Sequence, residues 1–127
     1  MKRVAVAIGL AAGLAVGLLA VASGTSRASA QRAPARLFVS AKEWSLVLSR
    51  QSLQAGDARI QLYDAGEDAH DLRMRRAGGT RSLAIAVTQP GRVTELGAVL
   101  RPGRWRLWCA LPEHAKRGMV ATLVVRR

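Results

Sequence analysis

Only one cysteine, two histidines, one tyrosine and one phenylalanine occur in these 127 residues. A single cysteine, Cys109, excludes any disulfide within the chain. Acidic side chains are scarce as well, with 8 Asp and Glu against 20 Lys and Arg and a formal net charge of +12. A surplus of that size raises nucleic-acid binding as a possibility. The sequence has no aromatic pattern for stacking bases and no recognition-helix pattern, so nucleic acid is set aside as a partner. Internal repeats and long helical periodicity are absent too.

What the chain does have begins at its N-terminus. MKR is followed by the apolar run VAVAIGLAAGLAVGLLAVA, then by polar SGTSR and the small-residue site ASA. That order is the pattern of a secretory signal peptide cut after Ala30. The apolar run at residues 4–22 is near the lower limit for spanning a bilayer, so an uncleaved anchor and membrane association through it stay open. Either reading places the domain outside the cytoplasm. Without Lys2, Arg3 and Arg27 the net charge falls from +12 to +9, because all eight acids follow residue 30. Exported domains usually pair their cysteines, and Cys109 has no partner in the chain. A lone exported thiol must be buried, joined to another chain, or bound to a metal.

Residues 31–36 (QRAPAR) read as a linker, and residues 37–127 as one domain. Short apolar and β-prone runs follow one another at residues 37–40, 44–48, 58–63, 70–75, 82–87, 92–100, 104–109 and 119–126. Gly and Pro turns such as Ala55-Gly56-Asp57, Gln89-Pro90-Gly91 and Arg101-Pro102-Gly103 punctuate them. The expectation is an all-β sandwich or barrel; a short helix at 81–87 or 93–100 stays open. Successive side chains of a strand point to opposite faces. Trp105, Leu107 and Cys109 therefore share the inward face opposite Arg106 and Trp108. His70 shares a face with Leu72 and Met74, and Met119 with Ala121, Leu123 and Val125.

A cysteine, a histidine and a methionine thus stand at strand ends aimed at the core, with His114 in the loop between two of those strands. Two imidazoles, one thiolate and a weak methionine sulfur make the ligand set of a type 1 copper site. Thiolate and thioether favour Cu(I), imidazole suits both oxidation states, and a rigid frame that changes little on reduction makes transfer fast. Three other readings stay open: a buried free thiol beside satisfied histidines, zinc on the same ligands, and a nucleophilic Cys109 with His114 as base. Burial next to Trp105 and Leu107 speaks against the last.

The stretch CALPEHAKRGM has the form Cys-x4-His-x4-Met, and GEDAHDL supplies a histidine upstream. Together they resemble the cupredoxins, with a loop spacing closest to the rusticyanin and auracyanin type. The resemblance covers most of the chain after residue 36. It implies a Greek-key sandwich of about eight strands, one mononuclear copper, and electron transfer between larger redox proteins. Carried over position by position, the ligands would be His70, Cys109, His114 and, axially, Met119.

Some positions depart from the pattern. Asp71 stands where the family often has Asn; its carboxylate could bond across to the cysteine loop, or simply be solvated. Trp108, before the cysteine, could offer a lateral electron route or be an ordinary packed surface side chain. Pro112 removes a backbone donor and stiffens the loop. The resemblance implies that the His114 edge lies at the surface near Ala110, Leu111 and Pro112. A redox partner would dock there, and the arginine surplus would steer acidic partners to it. An enzyme of the two-domain copper reductase kind would need further histidines, which the chain lacks. The expectation is a monomeric electron carrier, not an enzyme, with copper delivery outside the cell as its rival.

Overall fold

The computed structural model describes residues 32–127, and the expected leader lies outside them. Among the described residues there are nine strands and no helix: β1 (Ala35–Lys42), β2 (Ser45–Leu48), β3 (Ser52–Gln54), β4 (Gly56–Asp64), β5 (His70–Arg76), β6 (Ser82–Thr88), β7 (Val93–Leu100), β8 (Gly103–Trp108) and β9 (Val120–Arg126). They form two sheets, in the orders β2-β1-β4-β7 and β3-β9-β8-β5-β6. Both segments that could have been helical, β6 and β7, are strands. From β6 the chain crosses to β7 in the other sheet and returns as β8 beside β5, a Greek-key connection.

Three details differ from the sequence expectation. The short strand β3 runs parallel to β9, pairing Ser52 with Val124 and Gln54 with Arg126. Three residues carry too little alternation to announce themselves as a strand. Trp44 belongs to the turn between β1 and β2, not to a strand. β1 begins at Ala35, inside the segment read as linker, because Ala35 and Arg36 pair in parallel with Ala58 and Arg59 of β4.

Alternation accounts for the core. Leu37, Val39 and Ala41 of β1 and Ile60 and Leu62 of β4 point inward from one sheet. Leu72 and Met74 of β5, Trp105 and Leu107 of β8 and Leu123 and Val125 of β9 meet them from the other. Trp105 hides its indole because Nε1 donates to the Arg101 carbonyl at 3.0 Å, which removes the cost of burying that N–H. Each of the buried Leu, Ile, Val and Met side chains contributes about 1.5–3 kcal/mol by leaving water.

Strand ends matter most for function. β5 and β8 are antiparallel neighbours whose last registered pair is Arg73 with Trp108. β8 and β9 end at the pair Trp108 with Val120. The start of β5, the end of β8 and the start of β9 therefore lie side by side at one end of the sandwich.

Leu62 is fully enclosed on β4, which is flanked by strands on both sides. Leu62→Ala should lower stability by about 2–5 kcal/mol through the cavity it leaves. Val47→Ala, on an edge strand with a 61% exposed side chain, should change it by less than about 0.5 kcal/mol. Urea unfolding of the two variants beside the parent tests this assignment of the core.

Candidate metal centre

His70 is the first residue of β5, Cys109 the residue after β8, and Met119 the residue before β9. All three are fully enclosed, and His114 is half-buried in the loop at 109–119. The Nδ1 atoms of His70 and His114 stand 3.2 Å apart, and Cys109 Sγ lies 3.4 Å from the same His114 nitrogen. One donor atom from each of the three residues lies within 4.8 Å of the others. An ion bound at about 2.0–2.3 Å by N and S donors holds them roughly 3.5–4 Å apart. The cluster fits a small metal ion.

The loop explains how its donors are presented. Pro112 and Glu113 occupy the middle of a turn closed by the His114 N–H donating to the Leu111 carbonyl at 3.2 Å. Glu113 has φ 67°, so the turn has the type II pattern with Pro at its second position. Pro112 thus shapes the turn that delivers His114. Met119 closes the loop at both ends: its N–H donates to the His114 carbonyl, and its carbonyl accepts from the Cys109 N–H, each at 3.1 Å. Gly118 has φ 122°, and a Cβ there would sit 2.9 Å from the Trp44 carbonyl oxygen. A glycine before Met119 is required by both conformation and space.

Asp71 is buried, and its Oδ1 accepts from the Ala110 N–H at 2.6 Å, while Oδ2 accepts from Arg73 Nε at 3.2 Å. Of the two alternatives for this side chain, the bond across to the cysteine loop holds. A bulge in the β5–β6 pairing between His70 and Leu72 accompanies this placement. Burial pushes the Cys109 thiol up from its ordinary value, while the backbone amides of Asp71 and Leu111 pull it down. Met74 is a core residue. Trp108 lies half-buried on the outer face with Arg75 and Arg106 over its ring, at 5.6 and 5.4 Å from the centroid.

Sequence reasoning missed three neighbours of the cluster. Glu43, in the β1–β2 turn, accepts from His70 Nε2 at 3.0 Å and from the N–H groups of Glu67 and Asp68 at 3.0 and 2.8 Å. This bond holds the His70 ring with Nδ1 toward the cluster. A Cβ on Gly66 would overlap the Glu43 carboxylate, so that glycine is the space the carboxylate occupies. Asp64 is fully buried with Oδ1 3.9 Å from His70 Nε2. Its Oδ1 accepts from the Gly66 N–H, and its Oδ2 has no hydrogen-bond partner. Trp44 stands edge-on to the His114 ring with centroids 5.0 Å apart, and the Arg117 guanidinium lies 4.3 Å from the centroid of Trp44. Glu43 and Trp44 come from the other sheet's hairpin, and no local pattern in AKEWSL announces them. The glycine in DAGED was the one available signal.

Hydrogen bonds from the Asp68 backbone, and others around it, hold the Glu43 carboxyl down at about 2 against an ordinary 4.5. A depressed carboxylate stabilises the fold above the unfolded value, and that contribution is lost as pH falls through the folded one. Metal-free protein should therefore lose stability between about pH 4.5 and 2. Glu43→Gln should lose less over the same interval, since the other carboxylates are common to both. Urea midpoints followed by circular dichroism at several pH values decide it; parallel curves would deny Glu43 this role.

No protein-family model and no curated protein matches the sequence. Solved structures do match. Auracyanin B is similar with a TM-score of 0.61 over 76% of this chain and 92% of its own, at 18% identity. Auracyanin A, described as a "blue" copper protein from the green thermophilic photosynthetic bacterium Chloroflexus aurantiacus, gives 0.60 over 74% and 100%, at 13% identity. An oxidised amicyanin variant gives 0.52 over 71% and 81%, at 12% identity. At these identities the likeness is one of fold. The described residues form the cupredoxin-like sandwich that the loop motif leads one to expect, with two imidazoles and a thiol gathered at one end of it.

Proposed function

We propose that His70, Cys109, His114 and Met119 hold one type 1 copper ion and that the protein carries single electrons between redox partners outside the cytoplasm. The observation that carries this reading is the convergence of two Nδ1 atoms and one Sγ within 4.8 Å. The fold shared with auracyanins supports it, as does a fully enclosed methionine whose main chain is bonded to both Cys109 and His114. Copper stands above zinc in affinity for such donors, and the soft sulfur ligands suit Cu(I).

Copper supplies the one-electron couple between Cu(II) and Cu(I). The chain's own groups prepare for it. Cys109 gives up its proton when metal enters, and the amides of Asp71 and Leu111 favour the resulting thiolate. Glu43 fixes the His70 ring from behind, Trp44 packs against His114, and Asp71 ties the cysteine loop to β5. With every donor braced in this way, little has to move when the electron arrives. Both of the chain's histidines belong to this one cluster, so a second catalytic copper has no imidazole ligands, and an electron carrier is favoured over an enzyme. The leader pattern in residues 1–30 supports export, and the arginine surplus supports an acidic partner. The protein would act as a monomer.

Cu(II) added to the metal-free protein should produce an intense visible thiolate-to-copper band and the narrow EPR hyperfine splitting of a type 1 site. Cys109→Ser should remove the band while circular dichroism shows the fold retained. A colourless protein that binds zinc tightly and copper weakly would overturn the assignment. Asp71→Asn keeps an oxygen for the Ala110 N–H but removes a negative charge that favours Cu(II). It should retain the band and raise the reduction potential, read by voltammetry.

A further inference from the structure

The arginines are not gathered around His114. At that end of the sandwich, exposed Glu67, Asp68 and Glu113 stand against Lys116 and Arg117, and Lys116 is itself paired with Glu113 at 2.9 Å. Asp57 and Glu95 belong to β4 and β7 in the other sheet. The outer face of β5 and β8 carries Arg73, Arg75, Arg104 and Arg106, and of the four only Arg73 forms an ion pair among the described residues, with Asp71.

Arg75 and Arg106 are directly paired across the two strands. Like charges in that position are destabilising, so this arrangement is not one that fold stability alone would select. Both guanidiniums lie over the Trp108 ring, which keeps them ordered and presents them together. Beside them Arg76, Arg104 and Thr122 border a shallow hollow that runs to Gly78 and Gly79. Guanidinium groups match carboxylates bidentately, and Arg with Trp is the composition of binding hot spots.

We propose that the outer face of β5 and β8, centred on Trp108 and the Arg75–Arg106 pair beside it, is the docking surface for an acidic protein partner. Its carboxylates would seat on Arg75, Arg104 and Arg106. Trp108 immediately precedes Cys109, so the partner would stand against the residue bonded to the candidate ligand. That the partner is a redox protein rests on the copper reading; the docking itself rests on charge and geometry. A membrane is the less suited occupant, because the apolar side chains beside these arginines are few: Trp108 and Val124, both half-buried, Val120 at 41% exposed and, on neighbouring β6, Val87 at 50%.

The test uses the metal-free full chain, so it stands apart from the outcome of copper loading. Poly-L-glutamate is titrated in low salt and followed by 15N NMR, with vesicles of phosphatidylcholine containing phosphatidylglycerol as a second probe. Shifts should concentrate on Arg75, Arg104, Arg106 and the Trp108 indole N–H, and should fade as salt is raised. The triple variant Arg75→Gln/Arg104→Gln/Arg106→Gln should weaken binding about tenfold or more. Arg104→Gln, whose guanidinium is not over Trp108, should weaken it about threefold and guards against misfolding of the triple variant. Lys116→Gln/Arg117→Gln should leave it within about twofold. Equal weakening by the Lys116/Arg117 pair, shifts confined to the His114 end, or tighter binding to the vesicles through this face would overturn the proposal.

Discussion

The bond from the Ala110 N–H to the Asp71 carboxylate is the interaction on which the site depends. Beyond the pair Arg73 with Trp108 the β5–β8 ladder stops, and nothing in the sheet itself would hold Cys109 near His70. At 2.6 Å, with the acceptor charged and buried, this bond is of the stronger kind. It extends strand pairing by one side-chain link, and it does so at the residue between His70 and the core leucine Leu72. The thiol and the first imidazole are neighbours because that link replaces a ladder bond that a sheet could not make there.

The same logic applies on the far side of the cluster. Glu43 reaches His70 from the hairpin of the opposite sheet, so the imidazole is clamped between β5 and the β1–β2 turn. Trp44, the next residue, packs on the second imidazole. One turn therefore braces both histidines, while Gly66 and Gly118 are the two places where a side chain would push that turn away. A buried polar cluster is costly unless each member is satisfied. Here the imidazoles and the thiol use one another and this outer ring of acceptors, which leaves Asp64 Oδ2 as the single orphan among the described buried side chains.

Charge is distributed by element. Glu43, Asp64 and Asp71 serve the site end and Glu95 pairs with Arg59 on the other sheet, while Arg75, Arg104 and Arg106 of the β5–β8 face have no ion pair among the described residues. A net charge read from composition carries a sign and a size but no direction. The direction comes from the pleat: Arg73 and Arg75 alternate with core residues on β5, and Arg104 and Arg106 do so on β8, so antiparallel pairing stacks them on one surface.

At His70 a bulge interrupts the period-two alternation and buries Asp71 as well. In Trp105 to Cys109 and Met119 to Val125 that alternation was enough to aim Cys109 and Met119 at the core, and the Cys-x4-His-x4-Met spacing was enough to join them through one loop. Those features are local, because strand direction and loop length are properties of consecutive residues. The strand β3, the burial of Asp71 and the parts played by Glu43, Trp44 and Asp64 are not local. Each depends on which strands become neighbours and on where their ends fall, and that is decided by the packing of two sheets around a shared core. Alternating strands and the chemistry of the donors follow from consecutive residues; which carboxylate and which indole hold those donors in place follows only from the packed sandwich, because such contacts join segments far apart in the chain.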